Sequence, residues 1–164
     1  MSESTSLRPK DGSARASSSE TRTRRAAAII VLLHVMLALF LGATLSIDVD
    51  EACTLVTTSH GPSYAFRRAL SFELQPPLYF TTLSVWRELS DSLLVARLFS
   101  TLCTTGALVV LWMASRRYLP SMNPCVTLSV AAWNPFVIYA ATEARCYALV
   151  LLISCGLLVL SHAG

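Results

Sequence analysis

The stretch Thr142-Glu143-Ala144-Arg145-Cys146-Tyr147-Ala148-Leu149 puts a carboxylate and a guanidinium two residues apart, between two apolar runs. A charge at membrane depth costs roughly 2.5–3.5 kcal/mol on insertion scales, so Glu143 and Arg145 at such a boundary mark a site by default. The plain alternative is a helix-end ion pair that snorkels to the interface. A second acidic cluster, Asp48-Val49-Asp50-Glu51, follows the first apolar run. Carboxylates grouped in this way can take the proton of an acceptor hydroxyl. The Asp48-x-Asp50 pair could instead hold a divalent cation such as Mg or Mn. An arginine beside them suits a phosphate, which it grips through two parallel hydrogen bonds. The combination fits chemistry on a lipid-phosphate substrate at a membrane face, although structural pins and transport sites use the same residue types.

Both clusters need elements that carry them to one side of a bilayer. The chain has 164 residues, 54% hydrophobic and 14% charged, with a mean hydropathy of +0.55. Soluble domains carry about 25% charged residues, so this is the composition of a membrane protein. Six of the 13 basic residues lie in the first 25 positions. That is a topology signal and does not indicate nucleic-acid binding. The five cysteines form no metal-type pair, and only Cys53 looks exposed outside the apolar runs, so no disulfide framework is expected.

Residues 1–25 form a Ser-, Thr- and Arg-rich tail with too little apolar surface to build a core, expected to be disordered and cytoplasmic. Spans are expected at about 26–47, 93–115, 125–141 and 146–161, each near the 20 residues a crossing helix needs. Arg22, Arg24 and Arg25 hold the first span's start inside, and Arg116 and Arg117 hold the second span's end there. The Asn134-Pro135 step should kink the third span. His34 in the first span reads as a tolerated interior polar residue. Residues 48–92 then form a long external loop. Within it, Phe66, Leu70 and Leu74 recur every four residues, with Arg67 and Arg68 on other faces. This predicts a short interfacial helix over 62–74, whose arginines can meet anionic headgroups or a donor phosphate. Pro77–Leu89 is too short to span and predicts a re-entrant or interfacial helix anchored by Tyr79 and Trp86.

The ordered set Asp50-Glu51-Ala52, Gln75-Pro76-Pro77-Leu78-Tyr79-Phe80, Arg97-Leu98-Phe99-Ser100, Asn134-Pro135-Phe136 and Thr142–Leu149 resembles the N-terminal part of a GT-C type membrane glycosyltransferase. The similar enzymes are the dolichyl-phosphate-mannose protein mannosyltransferase (family 39) superfamily, with the aminoarabinose transferases of lipid A and the RgtA/B/C/D-like enzymes. The resemblance covers about residues 26–162. It implies an all-α membrane protein, a GT-C-like N-terminal helical bundle with about four transmembrane helices and a long first external loop holding interfacial helices. It implies transfer of a sugar from a polyprenyl-phosphate donor to a lipid, glycan or protein acceptor on the external face, with inversion. It assigns Asp50 and Glu51 to the acidic pair of the first loop, with Asp50 as catalytic base or acceptor-binding acid, and Glu143 as the second active-site acid. Arg145 would contact phosphate or sugar. Gln75 stands where such enzymes often carry His or Lys near the lipid phosphate. Tyr79 and Tyr147 belong to the matched stretches and join Arg67 and Arg68 as substrate-binding residues.

The chain stops at His162-Ala163-Gly164 without a basic anchor, which reads as a truncated chain with incomplete donor and acceptor sites. The expected location is a plasma or inner membrane more than the endoplasmic reticulum. The competing reading is a non-catalytic small membrane scaffold or partner subunit that keeps the front half of the fold. A transporter would need ionisable residues in mid-span, and only His34 is there, with Arg97 near an end.

Overall fold

The computed structural model describes residues 11–162, with side chains from residue 18 onward, and the described residues are helical with no strand. The elements are α1 (Asp11–Thr44), α2 (Val49–Thr58), α3 (Pro62–Arg68), a π-helical segment (Ala69–Glu73), α4 (Pro77–Arg87), α5 (Leu93–Tyr118), α6 (Pro124–Ala132), α7 (Pro135–Thr142) and α8 (Tyr147–Ser161). Helix starts follow local chemistry. Proline occupies the first turn of α3, α4, α6 and α7, where a missing N–H costs nothing. Asp48, Ser92, Asn123 and Asn134 cap α2, α5, α6 and α7 by accepting a backbone N–H, as short polar side chains do. Gly61 precedes α3 at φ 88°, a conformation that glycine adopts without steric cost.

Two helices are long and apolar enough to cross a membrane, Ser18–Thr44 within α1 and Leu93–Tyr118. A third is present if α6 and α7 are taken as one broken span, bent by 59°. The break falls at Asn134-Pro135, as the sequence predicts. Helix α8 has 15 residues and is about 22 Å long, short of a hydrocarbon core of about 30 Å. The number of helices that meet the crossing requirement is thus two or three, against an expectation of four. The bundle runs up and down about α5. Arg97 meets Gly42 at one end of α1 and Arg116 meets Glu20 at the other. The Tyr118 hydroxyl bonds the Val159 carbonyl near the end of α8.

The tail expected to be disordered over 1–25 is helical from Asp11, and residues 1–10 lie outside the described residues. Its last turns gain partners that a solitary tail lacks. Glu20 Oε1 accepts from Arg24 at 2.7 Å and from Arg116 at 3.1 Å, and Cys125 Sγ donates to the Thr23 carbonyl. The first span accordingly ends at Thr44, before Ile47.

Residues 48–92 form a helical cap over one end of the bundle. The helix expected over 62–74 is present as α3 and the π-helical segment, with Phe66, Leu70 and Leu74 all exposed. Its other face packs Ala65 and Ala69 against Tyr79, Phe80, Leu83, Ala96 and Ala144. Small residues on α3 let α4 approach closely, so the cap joins α5 and the α7–α8 turn in one core. Arg87 of α4 is buried and donates to the Leu55 carbonyl at 2.6 Å and to Thr58 Oγ1 at 2.8 Å, which ties α4 to α2.

His34 has a structural reason to be buried in α1. The break at Pro135 orphans the Ala132 carbonyl, because the Phe136 N–H turns to Asn134 Oδ1. His34 Nδ1 takes that carbonyl at 2.9 Å. A buried carbonyl left unpaired would cost about 1–3 kcal/mol, so α1 supplies what the kink removes.

Candidate functional site

Where α1, α2, α5 and the α7–α8 turn meet, the two acidic clusters become one. Glu51 is fully buried and Arg97 nearly so. Arg97 Nε and Nη2 donate to the two Glu51 carboxylate oxygens at 2.8 and 2.6 Å. Its remaining donors go to the carbonyls of Gly42, Leu45 and Ser46 at 2.7, 2.8 and 3.1 Å. These carbonyls belong to the unpaired C-terminal end of α1, where a cation is favourable. Glu51 Oε1 also accepts the Ala144 N–H at 2.9 Å. Thr101 of α5 holds the Ala141 carbonyl at 2.9 Å. The turn that carries Glu143 and Arg145 is therefore fixed by side chains from α2 and α5.

This corrects the role expected for Glu51. Its oxygens are occupied and shielded from solvent, so it orients the site and does not face a substrate. Asp50, its neighbour on α2, points the other way. Its side chain is 59% exposed, and its Oδ2 accepts from Arg145 Nη1 at 2.5 Å. The Arg145 side chain makes no other hydrogen bond among the described residues, its backbone N–H donates to the Glu143 carbonyl at 2.9 Å, and its guanidinium lies 5.1 Å from the Tyr147 ring centre. Tyr147 packs near Phe136 and Tyr139, with ring centres 6.0 and 6.1 Å away. Glu143 is half-buried, and its Oε2 is buried with no hydrogen-bond partner among the described residues. The Glu143 carboxylate is in hydrogen-bonding range of the Tyr139 hydroxyl and acts electrostatically on Arg97. Asp50, Glu143, Arg145 and Tyr147 thus share one aromatic-lined mouth.

The other expected site residues divide. Gln75 reaches the mouth's edge, where Cys146 Sγ lies 3.7 Å from its Oε1. Tyr79 does not reach it. It is buried in the cap core beside Ser100, and burial pushes its hydroxyl's pKa well above its ordinary value. A substrate-binding role for Tyr79 is replaced by packing. Arg68 is committed as well: Nε donates to Thr57 Oγ1 and Nη1 to the Tyr64 hydroxyl, both at 3.2 Å, and the guanidinium covers Phe72 at 4.3 Å. Thr57 Oγ1 in turn donates a hydrogen bond to Glu73 Oε1 at 2.5 Å. Arg67 is exposed with no side-chain partner among the described residues, beside an open crevice of about 320 Å³ that includes Phe66 and Thr81. Of the arginine pair, Arg67 alone is free to meet a headgroup.

The two aspartates expected to hold a metal each engage another partner. Asp48 spends Oδ1 on the Val49 N–H at 2.7 Å as the cap of α2, and Asp50 is turned to Arg145. No group of three or more His, Cys, Asp or Glu side chains converges among the described residues. Cys53 is half-buried, as are Cys125, Cys146 and Cys155, so exposure does not single it out.

Sequence reasoning missed Arg97 as the organising residue, and missed α2. The signal for α2 was present: Asp48 as a cap, with Asp50 and Glu51 in the first turn, is the pattern of a helix start. No family model matches the chain, and neither a curated protein nor a solved structure matches it.

Proposed function

We propose that the mouth formed by Asp50, Glu143, Arg145 and Tyr147 belongs to a membrane glycosyltransferase that takes its sugar from a polyprenyl-phosphate donor. One observation carries this reading: the contrast between the two ion pairs at the same end of the bundle. Glu51–Arg97 is buried and fully bonded, which is what a structural pin requires. In Asp50–Arg145 the Asp50 side chain is 59% exposed and the Arg145 side chain 16% exposed, and the guanidinium uses only Nη1. A guanidinium already holding one anion, with donors to spare, suits a phosphate that arrives at the mouth.

In the proposed reaction the acceptor hydroxyl oxygen attacks the anomeric carbon from the face opposite the phosphate. The bond between that carbon and the phosphate oxygen breaks, and the phosphate leaves with the electron pair. Asp50 takes the hydroxyl proton, and Arg145 passes from Asp50 to the leaving phosphate. That exchange frees the carboxylate at the moment it is needed as a base. Glu143, with an unoccupied oxygen, orients the acceptor hydroxyl. Tyr147 offers a ring face to the sugar. The reading places four spans in the bilayer, with α8 as the fourth, and the mouth on the external face.

Binding of a radiolabelled polyprenyl-phosphate sugar to the chain in lipid nanodiscs tests this. Arg145→Gln should weaken binding by about tenfold or more, the value of a lost charge-assisted hydrogen bond of about 1.5–3 kcal/mol. Asp50→Asn should retain or tighten binding, because it releases Arg145. Where transfer is measured, Asp50→Asn should lower it by about a hundredfold or more. Equal binding by parent and Arg145→Gln removes the donor site and favours a scaffold without chemistry.

A further inference from the structure

At the opposite end of the bundle, a groove of about 410 Å³ opens between α1, α5 and α6. Short side chains on α1, Ala27, Ala28 and Val31, leave room there against Trp112 of α5 and Leu128 of α6. Arg24 stands at its mouth. Arg116 stacks on Trp112 at 5.0 Å. The two arginines converge on a single oxygen, Oε1 of Glu20, so this end already contains a position where two guanidinium groups hold one anion. Arg22, Arg25 and Arg117 are their sequence neighbours, and Glu20 is the one carboxylate among residues 18–25 and 112–125. After Glu20 is neutralised, four positive charges remain beside an apolar slot.

We propose that this groove binds an anionic glycerophospholipid of the surrounding bilayer. One acyl chain lies along Ala28 and Val31, and the phosphodiester rests against Arg24 and Arg116. The occupant follows from charge and shape together. An apolar slot alone would accept any lipid tail, and an arginine cluster alone would attract any anion. The two meet at one point only for a ligand with a phosphate at the head of a hydrocarbon chain. A zwitterionic lipid brings its own cation to the arginines and loses that attraction. The site is separate from the Asp50–Arg145 mouth and does not depend on the reaction proposed there.

The test uses spin-labelled phosphatidylglycerol and phosphatidylcholine with the unaltered chain in phosphatidylcholine vesicles. Electron spin resonance reads the fraction of each label that is motionally restricted by the protein. The expected result is preferential restriction of phosphatidylglycerol that weakens as salt is raised. Arg24→Gln and Arg116→Gln should each reduce the preference about fivefold, corresponding to about 1 kcal/mol per arginine. Ala28→Phe fills the slot without touching a charge, and should abolish the preference while the arginines remain. Each variant is compared at unchanged helix content by circular dichroism. Equal restriction of both lipids by the parent overturns the proposal and leaves ordinary boundary lipid. A preference that survives both arginine changes overturns it as well. A preference that disappears as the protein-to-lipid ratio rises would show a second copy covering the groove.

Discussion

Removing one partner of the Glu51–Arg97 pair should cost far more than a surface ion pair, and the pattern of costs should be non-additive. Glu51→Leu leaves the Arg97 charge buried, and Arg97→Met leaves the Glu51 carboxylate buried. Each should destabilise by about 3–5 kcal/mol. The double variant Glu51→Leu/Arg97→Met removes both charges and should recover part of that loss. It should not recover all of it, because four backbone groups still lose their partners: the carbonyls of Gly42, Leu45 and Ser46, and the Ala144 N–H. At about 1 kcal/mol each, these come to about 4 kcal/mol. The singles together should therefore exceed the double by about 2–6 kcal/mol, where an exposed pair gives less than about 1 kcal/mol. Reversible unfolding by added denaturing detergent, followed by tryptophan fluorescence, measures all four proteins. A cycle whose coupling falls below about 0.5 kcal/mol would refute the argument that this pair is desolvated and holds the α7–α8 turn. Because the turn carries Glu143 and Arg145, the single variants should also lose donor binding at temperatures where they remain folded.

Three further outcomes are expected. Arg68→Ala should lower stability by about 1–2 kcal/mol through its bonds to Thr57 and Tyr64, whereas Arg67→Ala should stay within about 0.5 kcal/mol and reduce binding of the isolated 62–74 peptide to anionic vesicles. His34→Phe should cost about 1–3 kcal/mol by orphaning the Ala132 carbonyl, and hydrogen exchange at the α6–α7 break should rise with it. Asp48→Ala should cost about 1 kcal/mol as a lost helix cap, with the same loss in the presence and absence of millimolar magnesium or manganese; a loss seen only with the metal would restore the cation site.

The sequence by itself determined the elements. The apolar runs, the Pro-led helix starts and the arginine clusters are local properties, and local sterics and hydration are enough to set them. The kink at Asn134-Pro135, the exposed Phe66/Leu70/Leu74 stripe and the short helix after Pro77 were all legible for that reason. So was the placing of Asp50, Glu143 and Arg145 at one end of the bundle, once the spans alternate. Tertiary structure decided which of two adjacent acids faces solvent and which is buried. Asp50 and Glu51 are equivalent in type and one residue apart, yet about 100° of helical rotation separates their side chains. The choice depends on where Arg97 stands, 46 positions along the chain. The same holds for Arg67 and Arg68, separated by the position of Thr57, and for the extension of α1 back to Asp11, accompanied by contacts of Glu20 and Thr23 with α5 and α6. Charge type and spacing are written locally. Desolvation is a property of everything packed around a group, and only the folded chain specifies it.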